Sequence, residues 1–257
     1  MALLELAGRH ALVIGGGQGI GRASALALAG AGAGVAVLDA EAERAETVAT
    51  ELRDFGRPVC ALTADVTAPE EAARGVAEAR SRLGGLDIVV NIVGAASWAP
   101  LLELDEATWE RDFSINLKHH WYVARSAARA WIDAHEPGVL CVVGSISGGF
   151  SSANHGAYGA AKAALLGLVR TAAEEWWPHG IRVNAVVPGA VRTPRIEAGW
   201  AAGTVPRPEA ETLERMALPD EIAGPILFLV SDLARRVTGQ SVIVDGGATT
   251  KFPYLVE

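Results

Sequence analysis

The regular alternation of apolar strands with amphipathic helices constrains the fold of this chain most. Strands are predicted at residues 10–14, 35–38, 59–63, 86–90, 139–143, 183–187 and 241–244, and helices at 19–31, 41–55, 69–83, 106–135 and 157–177. Strands that are apolar on both sides must be covered on both faces. The pattern therefore predicts an α/β fold, with a doubly wound, seven-stranded parallel sheet and helices on both faces.

The chain is long enough for one large α/β domain or two small ones, at 257 residues. No Pro/Ser-rich linker, low-complexity tract or repeat beyond the alternation marks a boundary, so a single domain over 1–257 is predicted. Residues 192–218, which include Trp200, Pro206 and Pro208, form an irregular stretch. We interpret this stretch as an insertion over the ligand site that acts as a lid.

Charge and composition exclude several classes of protein. A net charge of −8 argues against nucleic acid or an anionic membrane as the main partner. No apolar run reaches the roughly 18 residues that span a bilayer, and Glu5 interrupts what would be a signal peptide, which favours a cytoplasmic location. Cys60 and Cys141 lie in apolar runs without a Cys-x-x-Cys pattern, so we predict buried reduced thiols and no structural metal.

A glycine cluster, Gly-Gly-Gly-Gln-Gly-Ile-Gly at residues 15–21, lies between the first strand and the first helix. The missing β-carbons allow a tight turn and a close approach to a pyrophosphate, and the helix start offers free N–H groups and positive potential. In this strand-turn-helix context the cluster predicts a dinucleotide site. Its predicted members are Gly15, Gly17, Gln18, Gly19, Ile20 and Gly21.

Asp39 ends the second strand at about the spacing expected of an acid that binds the adenosine ribose. A carboxylate can accept hydrogen bonds from both ribose hydroxyls but repels a 2′-phosphate. Neither Gln18 nor Ala40 supplies the cation that NADP would require, so the predicted cofactor is NAD(H). The alternative is that Asp39 only caps the helix that follows it.

Tyr158 and Lys162 are four residues apart on a predicted helix, so both side chains emerge on one face. The chain has three lysines against nineteen arginines, and a compact ammonium can approach both a phenol and a ribose. This pair therefore predicts a tyrosine that works as an acid-base catalyst. The alternative is a solvated helical face with an incidental polar pair.

Further motifs accompany these two, in order along the chain: Asp65-Val66, Asn91, Asn116, Ser145 and Pro188-Gly189. Together they resemble the classical short-chain dehydrogenase/reductase family over nearly the whole chain. The resemblance implies a single-domain Rossmann fold and, commonly, a tetramer. Ile14 replaces a usual threonine and Asn91-Ile92-Val93-Gly94 a usual Asn-Asn-Ala-Gly, which removes groups that brace the turn and the central strand. Extended sugar epimerases are usually longer, and the Tyr-x6-Lys pattern of enoyl reductases is absent.

The resemblance also implies individual roles. Asp65 and Val66 would flank the adenine, Asn91 would lie against the adenosine-side ribose, and Val191 and Thr193 would hold the carboxamide. Asn116 would bend its helix and hold a water that relays protons to Lys162, although a lone helical asparagine is otherwise a surface residue. The remaining implied cofactor contacts are Tyr158, Lys162, Pro188 and Gly189.

The implied chemistry is reversible hydride transfer between a secondary alcohol and a ketone. Tyr158 as phenolate would be the general base, with Ser145 donating to the developing alkoxide. Lowering a phenol pKa from about 10 to about 7 needs roughly 4 kcal/mol, for which Lys162 and the positive nicotinamide are the available sources.

The predicted pocket is mostly aromatic and apolar, which favours a bulky, weakly polar, cyclic or aromatic substrate. Its walls are Ala95, Ser97, Trp98, Ser147, Phe150, Asn154, His155, Ile196 and Trp200. Alternatively, an acidic group of the substrate would meet arginines of the same loop, namely Arg192, Arg195 and Arg207.

Other polar residues are interpreted as structural and not as catalytic or metal-binding. Lys118 and Tyr122 form an ordinary helix pair, and Ser147, Ser151 and Ser152 are turn formers, since no His-Asp constellation accompanies them. The neighbours His119 and His120 are expected to point in different directions, which argues against a shared metal.

The leading hypothesis is an NAD-dependent alcohol dehydrogenase and ketone reductase. A 3-oxoacyl-thioester reductase is the alternative enzyme, disfavoured by Asp39, and a non-catalytic NAD(H)-binding sensor or scaffold is the alternative of another class. Helix 157–177 is apolar on more than one face, which predicts a homo-oligomer, a tetramer as in the family, with the tail 251–257 as a further contact on a neighbour.

Overall fold

The computed structural model describes residues 4–205 and 207–250, so the predictions for Pro206 and for the tail 251–257 lie outside the described residues. The strands are β1 His10–Ile14, β2 Gly34–Asp39, β3 Val59–Thr63, β4 Ile88–Asn91, β5 Gly138–Val143, β6 Ile181–Pro188 and β7 Ser241–Val244. The α-helices are α1 Gly19–Gly30, α2 Ala42–Arg53, α3 Pro69–Leu83, α4 Glu106–Phe113, α5 His119–Ala134, α6 Gly156–Trp176, α7 Pro194–Ala201, α8 Ala210–Arg215 and α9 Pro219–Val230.

The strands form one seven-stranded parallel sheet in the order β3-β2-β1-β4-β5-β6-β7. The order reverses between β1 and β4, and the chain returns to the centre of the sheet at that point. In open parallel sheets a crevice forms outside the carboxyl ends of the strands at such a reversal. This topology places the glycine turn, which follows β1, at that edge.

Helices cover the sheet on both faces, which confirms the predicted doubly wound α/β fold. Along β1, Leu12 and Ile14 face the core beneath α3, α5 and α6, and Ala11 and Val13 face the core beneath α1, α2 and α9. Side chains of successive residues in a strand point to opposite faces, so a strand buried on both sides must be apolar throughout. β2 is buried at every position.

The helical segments depart from the prediction in three places. The helix predicted at 106–135 is interrupted by a π-helical turn at Ser114–Lys118, which separates α4 from α5. The stretch 192–218 contains α7 and α8 and is therefore not irregular throughout. Helix α9 was not predicted, because its run Pro-Ile-Leu-Phe-Leu-Val is apolar all round and Pro225 interrupts the helical pattern.

The two cysteines are free and buried, as predicted. Burial raises the pKa of the Cys141 thiol to about 12 and also raises the pKa of Cys60. Within residues 4–205 and 207–250, no helix is both long and apolar enough to cross a membrane. The same residues contain no group of three or more His, Cys, Asp or Glu side chains arranged to hold a metal ion.

Candidate active site

A cleft of about 540 Å³ opens at the carboxyl ends of the central strands. Three of the residues predicted to be catalytic, Ser145, Tyr158 and Lys162, line it. Further lining residues come from the glycine turn, from β4, from β5 and from the chain after β6, namely Ile20, Ile92, Gly94, Val143, Gly144, Pro188, Gly189, Ala190, Val191 and Thr193. The fold therefore brings the predicted catalytic and cofactor segments together in one cleft.

The glycine turn has the close backbone packing that a dinucleotide site needs. Gly15 has a φ of 76°, in the left-handed region that favours glycine. A β-carbon at Gly21 would lie 1.9 Å from the Gly15 carbonyl oxygen, so only glycine lets α1 start this close to the turn. The Gln18 side chain makes no capping bond, which leaves the first N–H groups of α1 available to a phosphate.

Asp39 is the last residue of β2 and lies against the glycine turn. Its Oδ2 accepts from the Gly17 backbone N–H at 3.0 Å, and its Oδ1 accepts from the Glu41 N–H at 3.1 Å. Helix α2 begins at Ala42 with Glu41 as its N-cap residue, so Asp39 is not the helix cap that the alternative interpretation required. Each carboxylate oxygen keeps acceptor capacity for a ribose hydroxyl.

The other predicted cofactor residues differ in how the structure presents them. Asp65 is exposed and Val66 buried, directly after β3. Asn91 is fully buried outside the cleft lining, with both amide atoms unpartnered, so it offers no side-chain surface for the predicted ribose contact. Thr193 accepts from the Ile196 N–H at 3.4 Å and thereby caps α7 where that helix starts beside the glycine turn.

Arg44 is a residue that the sequence interpretation missed. A β-carbon at Gly17 would lie 2.6 Å from Arg44 Cβ and 2.6 Å from Asp39 Oδ2, so the arginine stem and the carboxylate flank the same glycine. The signal in the sequence was a basic residue in the first turn of α2, where the helix dipole disfavours it. The predicted ribose site therefore has a cation beside it after all.

Burial raises the pKa of Tyr158, and a hydrogen bond from Ser145 offsets part of this rise. The positive charge of Arg195 lowers the same pKa slightly. The lowered pKa expected from the sequence depended also on the positive nicotinamide, so it stays a prediction for the cofactor-bound protein. In the protein without cofactor, desolvation of the phenolate outweighs its stabilising partners.

Lys162 is fully buried beneath Tyr158. Its Nζ donates to the Val143 carbonyl oxygen at 2.8 Å and lies 5.9 Å from the centroid of the Tyr158 ring. Desolvation lowers the pKa of Lys162 to about 7. No carboxylate among the described residues forms an ion pair with this ammonium, so its charge is held close to the phenol without a competing anion.

Asn116 lies in the π-helical turn, fully buried, and its amide makes three hydrogen bonds. Nδ2 donates to the carbonyls of Ala95 and Asp112 at 2.8 and 2.9 Å, and Oδ1 accepts from the Ala95 N–H at 3.1 Å. These bonds fix the segment after β4 against the turn between α4 and α5. The widened turn and the asparagine therefore occur at the same position, next to Lys162 in space.

The rings of His155 and Trp98 line the side of the cleft next to the Tyr158 phenol. The His155 ring lies 5.2 Å from the Tyr158 ring and 4.2 Å from the Trp98 ring, both in edge contacts. His155 Nδ1 and Ser147 Oγ are 3.1 Å apart, and burial lowers the pKa of His155, so the imidazole is neutral at pH 7. The wall beside the phenol is therefore aromatic and uncharged.

Several predicted pocket residues line the cleft and others do not. Trp98, Ser147, Phe150, His155 and Ile196 line it. Ser97 is instead engaged with Asp112 Oδ1 at 2.6 Å, and Asn154 is exposed with a φ of 64°. These two residues, Trp200 and Ala95 lie outside the cleft lining. Ala96, Ile146, Ser151, Ser152 and Met216 also line the cleft and were not in the predicted set.

His119 and His120 differ from the prediction. Both are fully buried, and their rings lie 4.0 Å apart instead of pointing in different directions. Desolvation lowers the pKa of His119 to about 3 and also that of His120, so both imidazoles are neutral. Lys118 pairs with Glu110 at 2.7 Å, and this pairing, with a smaller contribution from Tyr122, raises the pKa of the lysine.

The chain is similar to known proteins over almost its whole length. A family model described as enoyl-(acyl carrier protein) reductase matches residues 15–249. The cis-4-hydroxycyclohexanecarboxylate dehydrogenase of Sinomonas cyclohexanicum is 39% identical over 244 residues, which cover 95% of this chain and 97% of that protein.

Two solved structures superpose on nearly the whole chain. A short-chain type dehydrogenase/reductase from Mycobacterium marinum has a TM-score of 0.88 at 32% identity, covering 97% of this chain and 98% of that one. A 7α-hydroxysteroid dehydrogenase complexed with NADH and 7-oxo glycochenodeoxycholic acid has a TM-score of 0.87 at 32% identity, covering 95% and 96%. The chain therefore belongs to the classical short-chain dehydrogenase/reductase family.

Proposed function

We propose that the protein is an NAD-dependent oxidoreductase that interconverts a secondary alcohol and a ketone on a bulky, weakly polar ring. The observation that carries this proposal is the cleft itself. Ser145, Tyr158 and Lys162 lie in one cleft with Ile20 of the glycine turn, so a bound dinucleotide and a substrate would meet at the phenol. Dehydrogenase and reductase relatives that cover nearly the whole chain support an oxidoreductase.

The residues present fit a nicotinamide dinucleotide. The glycine turn and the start of α1 would hold the pyrophosphate, Asp39 the adenosine ribose, and Val191 and Thr193 the carboxamide. When bound, NAD⁺ accepts a hydride and brings a positive charge to the site. Asp39 favours NAD(H) because its carboxylate accepts from ribose hydroxyls and repels a 2′-phosphate.

Side chains of the protein would transfer the proton. Tyr158 as phenolate would take the proton of the alcohol, and Ser145 would donate to the same oxygen and orient it. Lys162 would hold the phenolate electrostatically from below, since its ammonium has no carboxylate partner among residues 4–205 and 207–250. In ketone reduction Tyr158 would return the proton as an acid.

The cofactor and substrate class are tested by one screen. NAD⁺ and NADP⁺ reduction is followed at neutral and alkaline pH with cyclohexanols, aryl alcohols, sugar alcohols and 3-hydroxyacyl thioesters. We expect turnover with NAD⁺ and ring alcohols, because the walls next to Tyr158 are Trp98, His155 and Phe150. Turnover confined to sugar alcohols or to thioesters would contradict the proposed substrate class.

A carboxylate on the substrate ring is the second candidate. Arg195 is exposed on α7 yet close enough to lower the pKa of Tyr158, so an anionic group at the cleft mouth would meet it. The relative named for cis-4-hydroxycyclohexanecarboxylate carries such a group on its substrate. The two candidates are separated by comparing the affinity of wild type and Arg195→Gln for that compound and for 4-methylcyclohexanol. If Arg195 binds the carboxylate, Arg195→Gln should bind the carboxylate compound more weakly and 4-methylcyclohexanol as well as wild type does.

The alternatives from other classes are also tested here. A 3-oxoacyl-thioester reductase would prefer NADPH, which Asp39 disfavours. A non-catalytic sensor would bind NADH, quench its fluorescence and oxidise no alcohol.

We also propose that 192–218 acts as a lid, since Ile196 and Met216 line the cleft from opposite ends of this stretch.

We expect a homo-oligomer, as in the family, at micromolar concentration. Large apolar side chains stay exposed on the segment before α4, on α4 and on α5, namely Trp98, Leu101, Leu102, Trp109 and Trp121. On α6, Ala163 and Ala164 are exposed. Apolar patches of this kind usually mark a protein interface. Light scattering checks the prediction, and a monomer mass at that concentration would contradict it.

A further inference from the structure

The pairing of Arg44 with Glu41 bears on cofactor choice. Arg44 occupies the first turn of α2, where the positive end of the helix dipole disfavours a cation. Its Nε donates to Glu41 Oε2 at 2.8 Å, and its Nη2 contacts Glu41 Oε1. Both carboxylate oxygens therefore lie against one guanidinium.

This pair lies at the ribose end of the predicted cofactor site. Arg44 Cβ and Asp39 Oδ2 both approach Gly17, and the Glu41 N–H donates to Asp39 Oδ1. The Arg44 side chain is 34% exposed and that of Glu41 63% exposed, so the guanidinium can be reached from solvent. Arginine binds phosphate in the same bidentate way in which it binds a carboxylate.

We propose that Glu41 is a specificity-determining residue, which keeps the Arg44 guanidinium occupied and so denies a 2′-phosphate its cation. The inference rests on the proposed NAD(H) site and extends it. Asp39 would repel the 2′-phosphate directly, and Glu41 engages the guanidinium that would offset this repulsion. Without Glu41, Arg44 would turn to the 2′-phosphate.

The test is equilibrium binding of two cofactor fragments to the purified protein, followed by calorimetry without turnover. The fragments are 5′-AMP and adenosine 2′,5′-bisphosphate, which differ by the phosphate in question. Glu41→Ala should tighten the bisphosphate by roughly 5- to 10-fold and change 5′-AMP by less than about twofold. The Glu41 side chain makes no capping bond to α2, so its removal costs the helix no cap.

Two controls isolate the role of Arg44. The double variant Glu41→Ala/Arg44→Ala should return the bisphosphate to its wild-type affinity. Glu46→Ala removes the same charge from α2, where Glu46 pairs with Arg53, and should leave the ratio of the two affinities unchanged.

The outcomes separate this inference from the function on which it rests. Unchanged bisphosphate affinity in Glu41→Ala, a gain that persists in the double variant, or an equal gain in Glu46→Ala would each overturn the role of Glu41 while NAD(H) binding stands. Failure of wild type to bind 5′-AMP would overturn the cofactor site itself, and the inference with it.

Discussion

Replacement of Tyr158 by phenylalanine is expected to lower kcat for alcohol oxidation by roughly 10²–10⁴-fold, the usual contribution of a positioned acid-base group. Only the phenol oxygen is lost, and the ring keeps its edge contact with His155 and its place over Lys162. Because Tyr158 is also an implied cofactor contact, cofactor affinity is followed beside kcat. Steady-state rates with NAD⁺ and the best alcohol, together with NADH titration, measure the two quantities.

Tyr122→Phe is the matched control, because it removes the same oxygen from a half-buried tyrosine on α5 that packs beside Trp121 outside the cleft. Its turnover should stay within about twofold of wild type. A Tyr158→Phe enzyme with wild-type kcat would refute Tyr158 as the acid-base group, whatever the fold and the family.

Burial acts on both members of the Tyr158–Lys162 pair. It raises the pKa of the phenol and lowers that of the ammonium to about 7, so each group is pushed towards its neutral form. The phenolate and the ammonium stabilise one another only when both are charged, so a further positive charge at the site, such as that of bound NAD⁺, would favour this state.

Features that depend on residues close together in the sequence could be predicted. β1, β3 and β7 were predicted at their observed bounds, because a short apolar run between turn residues is typical of a buried strand. Asp39 was predicted beside the glycine turn because both follow neighbouring parallel strands. The doubly wound order followed from strands that are apolar on both sides, as in β2.

Features that depend on packing between distant segments were not predicted. The resemblance implied a bend at Asn116, but the form of this bend could not be read from the helical period. It is a π-helical turn in which the asparagine amide bonds to the backbone of Ala95, 21 residues away. Arg44 approaches Gly17 only once α2 packs beside the glycine turn. Ser97 was assigned to the pocket by its position, but Asp112 binds its hydroxyl.

Lys162→Met should abolish turnover and yet make the protein more stable at pH 6, because a buried ammonium is replaced by an apolar chain of similar length. The folded pKa of about 7 lies roughly 3.5 units below the unfolded value, so burial costs on the order of 4–5 kcal/mol when both states are protonated. Leaving the Val143 carbonyl without its donor costs about 1–3 kcal/mol. We therefore expect a net gain of about 1–4 kcal/mol, or several degrees in Tm.

The pH dependence of this difference follows from linkage. Between pH 7 and about 10.5 the unfolded wild-type chain binds more protons than the folded one, so its free energy of unfolding rises with pH. The advantage of Lys162→Met should thus shrink steadily from pH 7 towards pH 10. Lys118→Met, which alters an exposed lysine paired with Glu110, is the control and should show no such trend. Urea unfolding of all three proteins at pH 6, 8 and 9.5 measures the effect, and a difference that stays constant with pH would show that Lys162 is not buried at this cost.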